Sequence, residues 1–528
     1  MLNGVLVIAG TDSSNGAGLT LDLRVINDIG IYGFGAVTCV TAQNLNEILS
    51  IEPIKKDIFN DELLAISNFY GILAIKIGLI PNKKILKKIH KFLEAIRNHV
   101  DANIRNIPVV WDPVGVSTSG YVMTDIDFTK AMKKLLPLVT VFTPNLTECV
   151  ELSNLEVNAS TLEDYLASLK EMALYFRKLG AKNVLIKGGH IRDYSGFMPQ
   201  DKFDKTVFDY LESEHLSKPF YYMNKKIGQD DSFSIHGSGC MFSSALASYL
   251  AKGLSVEDAL VFAKGYVTRS FLNCASVEGS TQKHIKLPLA DKVTIQDYPL
   301  VGHSITDIER YPFNCDDDGF PKLKDKLGFY VIVDSSKWIE RLCKAGVKTM
   351  QLRIKEPKSQ RFLENEIKKS VEIANKYDVQ LFIDDYWELA IKYKAYGVHL
   401  GQEDLDKVDL RDLDIGNVRL GVSTHNWAEV FRALLVKPSY IALGHIFDTQ
   451  TKDFEAPPQG VIKLKRYVEL LKENYPLVAI GGIKLENLND VLETGIDSVA
   501  VVTAITMAEN PEEAIKEWMD ALNKPREI

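Results

Sequence analysis

Eight short, β-branched runs recur toward the end of the chain, at 329–334, 349–354, 380–385, 397–401, 418–423, 440–446, 477–483 and 498–504, with charged segments of helical character between most of them. Strands that alternate with crossover helices pair in parallel. Eight of them within about 200 residues is the number that closes a (β/α)8 barrel, at the small end of its size range. Polar residues gather at or just after the C-terminal ends of the runs: Arg353 and Lys355, Asp384 and Asp385, Ser423, the 449–452 stretch, Gly481 and Gly482, and Thr503. In such a barrel those ends share one face, which is expected to carry the site.

The first half also alternates, with buried strands expected at 5–9, 74–76, 109–111, 139–143 and 184–187 and a helix at 241–251. That pattern predicts an α/β fold, a doubly wound parallel sheet with helices on both faces and ligands beyond the strand C-termini. Apolar periodicity fades over 286–326, where Tyr311-Pro-Phe-Asn-Cys-Asp-Asp-Asp-Gly-Phe-Pro321 collects turn residues and three successive acids. A linker is expected there, separating a domain at 1–285 from one at 327–528. A length of 528 residues is too great for a single core.

A formal net charge of -8 supplies no basic field for a phosphate backbone or an anionic bilayer, so neither nucleic acid nor membrane is expected as a partner. Small anions must then be held by local devices. Six cysteines lie far apart with no C-x-x-C pair, which points to free thiols in a reducing compartment, the cytoplasm. No segment approaches the roughly 18 to 20 apolar residues of a membrane span.

His236-Gly-Ser-Gly-Cys240 opens an apolar helical stretch. Glycines at 237 and 239 let backbone approach a ligand, and the N-terminus of the helix that this turn opens offers unpaired N–H groups and partial positive charge, together an anion hole. Such a cradle suits a phosphoryl group in transfer. Cys240 falls in the first turn, where a thiol pKa tends to drop, and is a candidate base for an attacked hydroxyl; the alternative is a small core hydrophobe. Asp112 ends one strand, and Asn145 and Glu148 follow another, oxygen donors suited to Mg2+ and its waters. Lys187 is placed to meet a nucleotide phosphate, and Ala9-Gly-Thr-Asp-Ser-Ser-Asn-Gly-Ala-Gly18 is a loop fit for close approach to a substrate.

In this order the motifs Ala9-Gly-Thr-Asp12, Gly16-Ala-Gly18, Thr41-Ala-Gln-Asn44, Trp111-Asp-Pro-Val114, Thr143-Pro-Asn145, Lys187-Gly-Gly-His190 and Gly237-Ser-Gly-Cys240 resemble the ribokinase superfamily, specifically its hydroxymethylpyrimidine/phosphomethylpyrimidine kinases, across nearly all of 1–275. The resemblance implies a ribokinase-like fold, ATP as co-substrate, Mg2+ held by Glu148, nucleotide contacts from Asp112, Asn145, Lys187 and Ser238, Cys240 as base within the Gly237–Gly239 anion hole, and substrate contacts from Gln43 and Asp22. A carboxamide at Gln43 presents both a donor and an acceptor to an aminopyrimidine. Thr11, Ser13 and Asn15 depart from the family's commoner residues, and the 192–234 stretch is longer than usual.

In the barrel half, Gln351, Arg353 and Lys355 alternate and would point to one side of a strand, reading as a diphosphate clamp. Asp384, Asp385 and Asp404 place carboxylates at two successive strand ends, suited to Mg2+ bridging diphosphate oxygens. Gly421-Val-Ser-Thr-His-Asn426, Thr449-Gln-Thr-Lys452, Ala479-Ile-Gly-Gly-Ile483 and Val501-Val-Thr-Ala504 add hydroxyls, a lysine and glycine amides. This set is similar to thiamin-phosphate synthase across 327–525. That resemblance implies a TIM barrel in which Gln351, Arg353, Lys355, Asp384, Ser423 and Lys452 bind a pyrimidine diphosphate, Asp385 and Asp404 hold Mg2+, and Thr449, Thr451, Gly482, Val502 and Thr503 hold thiazole phosphate. Arg353, Lys355 and Lys452 would stabilise the departing pyrophosphate. Asp384 stands where the family usually has asparagine. The combined expectation is one chain that phosphorylates hydroxymethylpyrimidine twice and joins the diphosphate to thiazole phosphate. Only small molecules are expected as ligands, and self-association is expected. A pyridoxal-type kinase fused to another phosphate-binding barrel, or a half that senses ligands without turnover, remain as alternatives.

Overall fold

The computed structural model describes residues 2–115, 121–188, 206–227, 234–280, 282–310, 319–449 and 457–523. The chain divides into two compact units, Met1–Phe313 and Asn314–Ile528.

In the first unit the strands run β1 (Asn3–Asp12), β2 (Tyr32–Gln43), β3 (Ile48–Pro53), β4 (Gly71–Ile77), β5 (Val109–Trp111), β6 (Val141–Phe142), β7 (Asn183–Ile186), β8 (Thr206–Ser213), β9 (Phe220–Lys225), β10 (Ser234–Ile235), β11 (Cys274–Ser276), β12 (Gln282–Ile285) and β13 (Leu300–Gly302). Ten of them form one sheet in the order β13-β9-β8-β7-β6-β5-β4-β1-β2-β3. Its centre, from β2 to β7, is parallel. Both margins are antiparallel, so the sheet is mixed where an all-parallel one was expected. The apolar run Val5–Ala9 is buried on both faces, as a central parallel strand must be. The chain leaves β1 first toward β2 and later returns to β4 on the other side, which opens a crevice at the strand C-termini. Helix Ser238–Ala251 buries nine of its fourteen residues, all nine from Met241 onward, and carries the glycine-rich turn to that crevice.

The second unit is a closed parallel barrel of β14 (Phe329–Val333), β15 (Thr349–Leu352), β16 (Gln380–Asp384), β17 (Gly397–Leu400), β18 (Arg419–Thr424), β19 (Tyr440–Leu443), β20 (Leu477–Ile480) and β21 (Ser498–Val501). Closure runs through β14 and β21, with Tyr330 opposite Ala500. All eight expected strands are present, and all but β18, which runs one residue further to Thr424, end earlier than expected, where the polar residues begin. Tyr330, Phe382 and Tyr440 fill the interior with Leu327, Ile332, Ala442, Val478 and Ala500. The fold class is thus the expected pair of an α/β sheet domain and a TIM barrel.

The expected linker at 286–326 is largely structural. Val301 and Leu289 are fully buried in the first unit, and β13 extends its sheet beside β9. On the other side Phe320 is buried and its N–H donates to the Lys437 carbonyl at 3.1 Å, while Ser439 donates to the Pro321 carbonyl at 2.6 Å. The division therefore falls at 313–314. Each packed piece is too short to show a period, so the sequence pattern faded there. The acids Asp316 to Asp318 lie outside the described residues.

Candidate active sites

A cleft of about 1030 Å³ runs along the C-terminal ends of the central strands of the first unit, and its lining includes Gln43, Asp112, Asn145, Glu148, Lys187 and Cys240. Asp12, at the end of β1, organises the loop that follows: it accepts from the N–H groups of Ser14, Gly16 and Ala17 at 2.7, 3.1 and 2.7 Å, and lies 3.0 Å from His236 Nε2. Burial alone would raise Asp12, but the hydrogen bonds of His236, Gln43 and Ser14 outweigh it and hold its pKa at about 2. The loop and the glycine-rich turn are thereby tied together. Gly237 has φ 79°, and a Cβ there would collide with the Gly16 carbonyl. A Cβ on Gly239 would stand 3.6 Å from both Asp112 and Lys187, so the start of helix Ser238–Ala251 faces those two side chains. Ser238 also lines the cleft.

Lys187 Nζ lies 2.8 Å from Asp112 Oδ1. Asn145 caps helix Leu146–Ser153: its side chain accepts from the Glu148 N–H at 2.7 Å, and the Glu148 carboxylate accepts from the Asn145 N–H at 2.7 Å. Burial, opposed by Lys187 and reinforced by Asp112, raises Glu148 to about 7. A bound cation beside Glu148 and Asp112 would reverse that rise.

Two expectations change here. Cys240 was expected to have a depressed thiol pKa, yet burial pushes it up to about 11, with Lys76 opposing and Asp22 and Asp112 adding to the rise. Burial and the two carboxylates outweigh Lys76 and the Gly18 N–H. Asp22 was expected to touch substrate, but it is fully buried in an ion pair with Lys76 at 2.7 Å and accepts from Ser244 at 2.7 Å. It sits one layer beneath the cleft because the inward face of helix Gly18–Asp28 turns it to the sheet. Lys76, His236 and Ser244 received no role from the sequence. The usable signal was Lys76 itself, a cation inside the apolar run Ala74-Ile-Lys-Ile77, which cannot be buried without a partner.

In the barrel, Gln351, Arg353, Lys355 and Asp384 converge. Gln351 donates to Asp384 Oδ1 at 2.7 Å, and Lys355 Nζ is 3.1 Å from Asp384 Oδ2 and 2.6 Å from Asp385 Oδ2. Arg353 Nε is 3.6 Å from Asp384. Only Gln351 belongs to β15, which ends at Leu352, so the three meet through the turn rather than by strand alternation alone. Burial raises the pKa of Asp384, with Lys355 and Arg353 opposing and Asp404 reinforcing it; burial also raises Asp385, with Asp384 and Asp404 reinforcing and Lys355 opposing. Asp404, in the short helix Gln402–Leu405, pairs with Lys407 at 3.0 Å.

Below this cluster runs a chain of hydrogen bonds that sequence reading missed: Gln351 to Tyr330 at 3.1 Å, Tyr330 to Tyr440 at 2.8 Å, Tyr440 to His399 at 2.7 Å and His399 to Ser423 at 2.8 Å. It ends at Ser423, one of the expected contacts. Gly481 and Gly482 both have positive φ, and a Cβ on Gly482 would strike the Asp448 carbonyl. Val502 and Thr503 start helix Thr503–Thr506, and Thr449 precedes the break in the described chain. Thr451, Lys452 and His190 lie outside the described residues.

Among the described residues no three His, Cys, Asp or Glu side chains gather as a metal set, and no helix is long and apolar enough to cross a membrane.

The family model for phosphomethylpyrimidine kinase matches residues 12–284, and that for thiamine monophosphate synthase matches residues 329–505. Thiamine-phosphate synthase of Citrobacter koseri is 52% identical over 195 residues, 37% of this chain and 92% of that protein. The one of Serratia proteamaculans is 55% identical over 189 residues, 36% of this chain and 88% of that protein. Among solved structures, phosphomethylpyrimidine kinase of Clostridium difficile 630 aligns at 28% identity and a TM-score of 0.40, covering 51% of this chain and 98% of that one. Pyridoxal kinase of Staphylococcus aureus in complex with pyridoxal aligns at 27% identity and a TM-score of 0.45, covering 57% and 98%. By the matched residues, the chain belongs to the phosphomethylpyrimidine kinase family in its N-terminal half and to the thiamine-phosphate synthase family in its C-terminal part.

Proposed function

We propose that the N-terminal cleft phosphorylates hydroxymethylpyrimidine and then its monophosphate from ATP, and that the barrel joins the resulting diphosphate to thiazole phosphate, releasing pyrophosphate and thiamin phosphate. The observation that carries the reading is the convergence of Arg353 and Lys355 on the Asp384–Asp385 pair at the strand ends, a diphosphate-sized cluster of charge at the face where such barrels react.

In the kinase step Gln43 holds the aminopyrimidine and Lys187 neutralises nucleotide phosphate. Cys240, once its thiol proton has left to solvent, accepts the proton of the substrate hydroxyl. The hydroxyl oxygen bonds to the γ-phosphorus, the bond to the β-phosphate oxygen breaks, and ADP departs. The N–H groups around Gly237 and Gly239 receive the charge on the transferring group. In the barrel Arg353, Lys355 and Lys452 take up charge on the departing pyrophosphate. The electron-rich pyrimidine bears the cation that the thiazole nitrogen captures. Ser423 and Gln351 orient the ring, and Thr449, Thr451, Gly482, Val502 and Thr503 hold the thiazole phosphate. Little protein acid–base chemistry is needed there.

Mg2+ fits both donor sets. It keeps several waters and takes one or two carboxylates together with substrate phosphates, which Glu148 in the kinase and Asp385 with Asp404 in the barrel can supply. When bound it neutralises phosphate charge. Five described cysteines are free thiols, which supports a reducing, cytoplasmic setting, and we expect the protein to self-associate.

Cys240→Ala is expected to lower kinase turnover by at least about a hundredfold, the usual scale of a lost acid–base group, while the barrel still makes thiamin phosphate from supplied diphosphate. ATP consumption and thiamin phosphate release, measured separately, decide it. Equal loss of both would contradict two separate sites.

A further inference from the structure

Beneath Cys240 lies an ion pair that the reaction as described does not use. Lys76 Nζ is 2.7 Å from Asp22 Oδ2, both side chains are fully buried, and Ser244 Oγ donates to Asp22 Oδ1 at 2.7 Å. Ser244 follows Cys240 by four residues on helix Ser238–Ala251, so the two share a face, and the layer that Ser244 grips lies under the thiol. Lys76 also belongs to the cleft lining. Room for its ammonium depends on Gly78, where a Cβ would stand 2.9 Å from Nζ. A fully buried ion pair is weak support for stability, since an apolar pair of similar volume often does as well or better. Folding therefore does not explain why strand β4 carries a lysine here.

We propose that Lys76, fixed by Asp22 and Ser244, is a positioning residue for phosphoryl transfer, its ammonium stabilising the thiolate of Cys240 from below. The groups that act on Cys240 are Lys76 from β4, Asp22 from helix Gly18–Asp28, Asp112 after β5, Lys187 after β7 and the Gly18 N–H. After burial, Lys76 is the largest influence on the thiol, ahead of the second coupled cation, Lys187, and it acts against burial and both carboxylates. The reciprocal influence of Cys240 on Lys76 has the matching sign. Asp22 restrains the cation at the cost of opposing it, so the arrangement exchanges some thiolate stabilisation for a fixed charge that needs no reorganisation during transfer.

The inference rests on Cys240 acting as base, and the test separates the two. In full-length protein, the pH dependence of Cys240 alkylation by iodoacetamide, followed on the Cys240 peptide by mass spectrometry, is compared between the parent and Lys76→Met. The midpoint is expected to rise by about one pH unit or more, a roughly tenfold loss of thiolate at fixed pH. Kinase kcat at neutral pH falls by a similar factor while KM for ATP stays within about threefold, and Lys76→Arg recovers most of the loss. Should Lys76→Met fail to fold, Lys76→Met/Asp22→Asn is compared with Asp22→Asn alone, because Asp22 opposes the cation, and the midpoint is again expected to rise. An unmoved alkylation midpoint in a folded variant overturns the role of Lys76. Undiminished turnover by Cys240→Ala overturns the base reading instead, and leaves the coupling of Lys76 to the thiol measurable.

Discussion

His399 has both ring nitrogens engaged, Nδ1 with the Tyr440 hydroxyl and Nε2 with Ser423. Burial, with Lys355 and Arg353 reinforcing it and Asp385 opposing, pushes its pKa down to about 4. In the unfolded chain an imidazole titrates near 6.5. Between these values the unfolded state binds the proton and the folded state does not. The contribution of His399 is therefore fully present above about pH 6.5 and is lost progressively as pH falls toward 4, by roughly 3 kcal/mol in all. His399→Asn is expected to flatten that part of the profile. Thermal inactivation of the barrel reaction, measured at pH 7 and pH 4.5 in both proteins, checks it: an equal drop in both would place the acid sensitivity elsewhere. Residues such as His399, Tyr330, Tyr440 and Lys76 were hard to read in the sequence because each sits inside an apolar run, where its partner comes from another strand. Residues at strand ends, such as Arg353, Asp385 and Asn145, were legible because strand ends and glycine turns are local signals. Asp22 misled because its place at the start of a helix does not say whether it faces the cleft or the sheet.

At the scale of elements, the barrel strands were recoverable because eight β-branched runs alternate with charged, mostly helical segments. The margins of the first sheet were not, since β3, β8, β9 and β13 pair antiparallel with their neighbours, against the parallel alternation of the centre. The segment that closes this sheet is held by a side-chain clamp. Arg269 donates from Nε at 2.9 Å and from Nη2 at 2.6 Å to the buried Asp297, whose carboxylate also accepts from the Thr294 N–H at 2.6 Å. Asn224 donates to the Asp297 carbonyl at 2.9 Å, fastening the same segment to β9. Removing the guanidinium leaves a buried carboxylate short of its partner. Arg269→Ala is expected to destabilise the first unit by about 2 kcal/mol, lowering the temperature at which kinase activity is lost without changing that of the barrel reaction. If β13 were a detachable linker strand, the kinase transition would not move.

For the molecule as a whole, the proposed reading puts two anion-binding devices of different construction in one acidic chain. One uses the glycine-lined start of a helix, where backbone N–H groups carry the positive end; the other uses arginine and lysine side chains at the tips of barrel strands. Neither depends on a basic surface, which is consistent with the net charge of -8. The product of the first reaction is the substrate of the second, so the two sites define a sequence even without any assumption about passage between them. The most direct test incubates full-length protein with ATP, Mg2+, hydroxymethylpyrimidine and thiazole phosphate and follows thiamin phosphate by mass spectrometry. Thiamin phosphate is expected only when all four are present, with the ATP requirement removed by supplying hydroxymethylpyrimidine diphosphate. No thiamin phosphate from the supplied diphosphate, or phosphorylation of pyridoxal in place of hydroxymethylpyrimidine, would contradict the account.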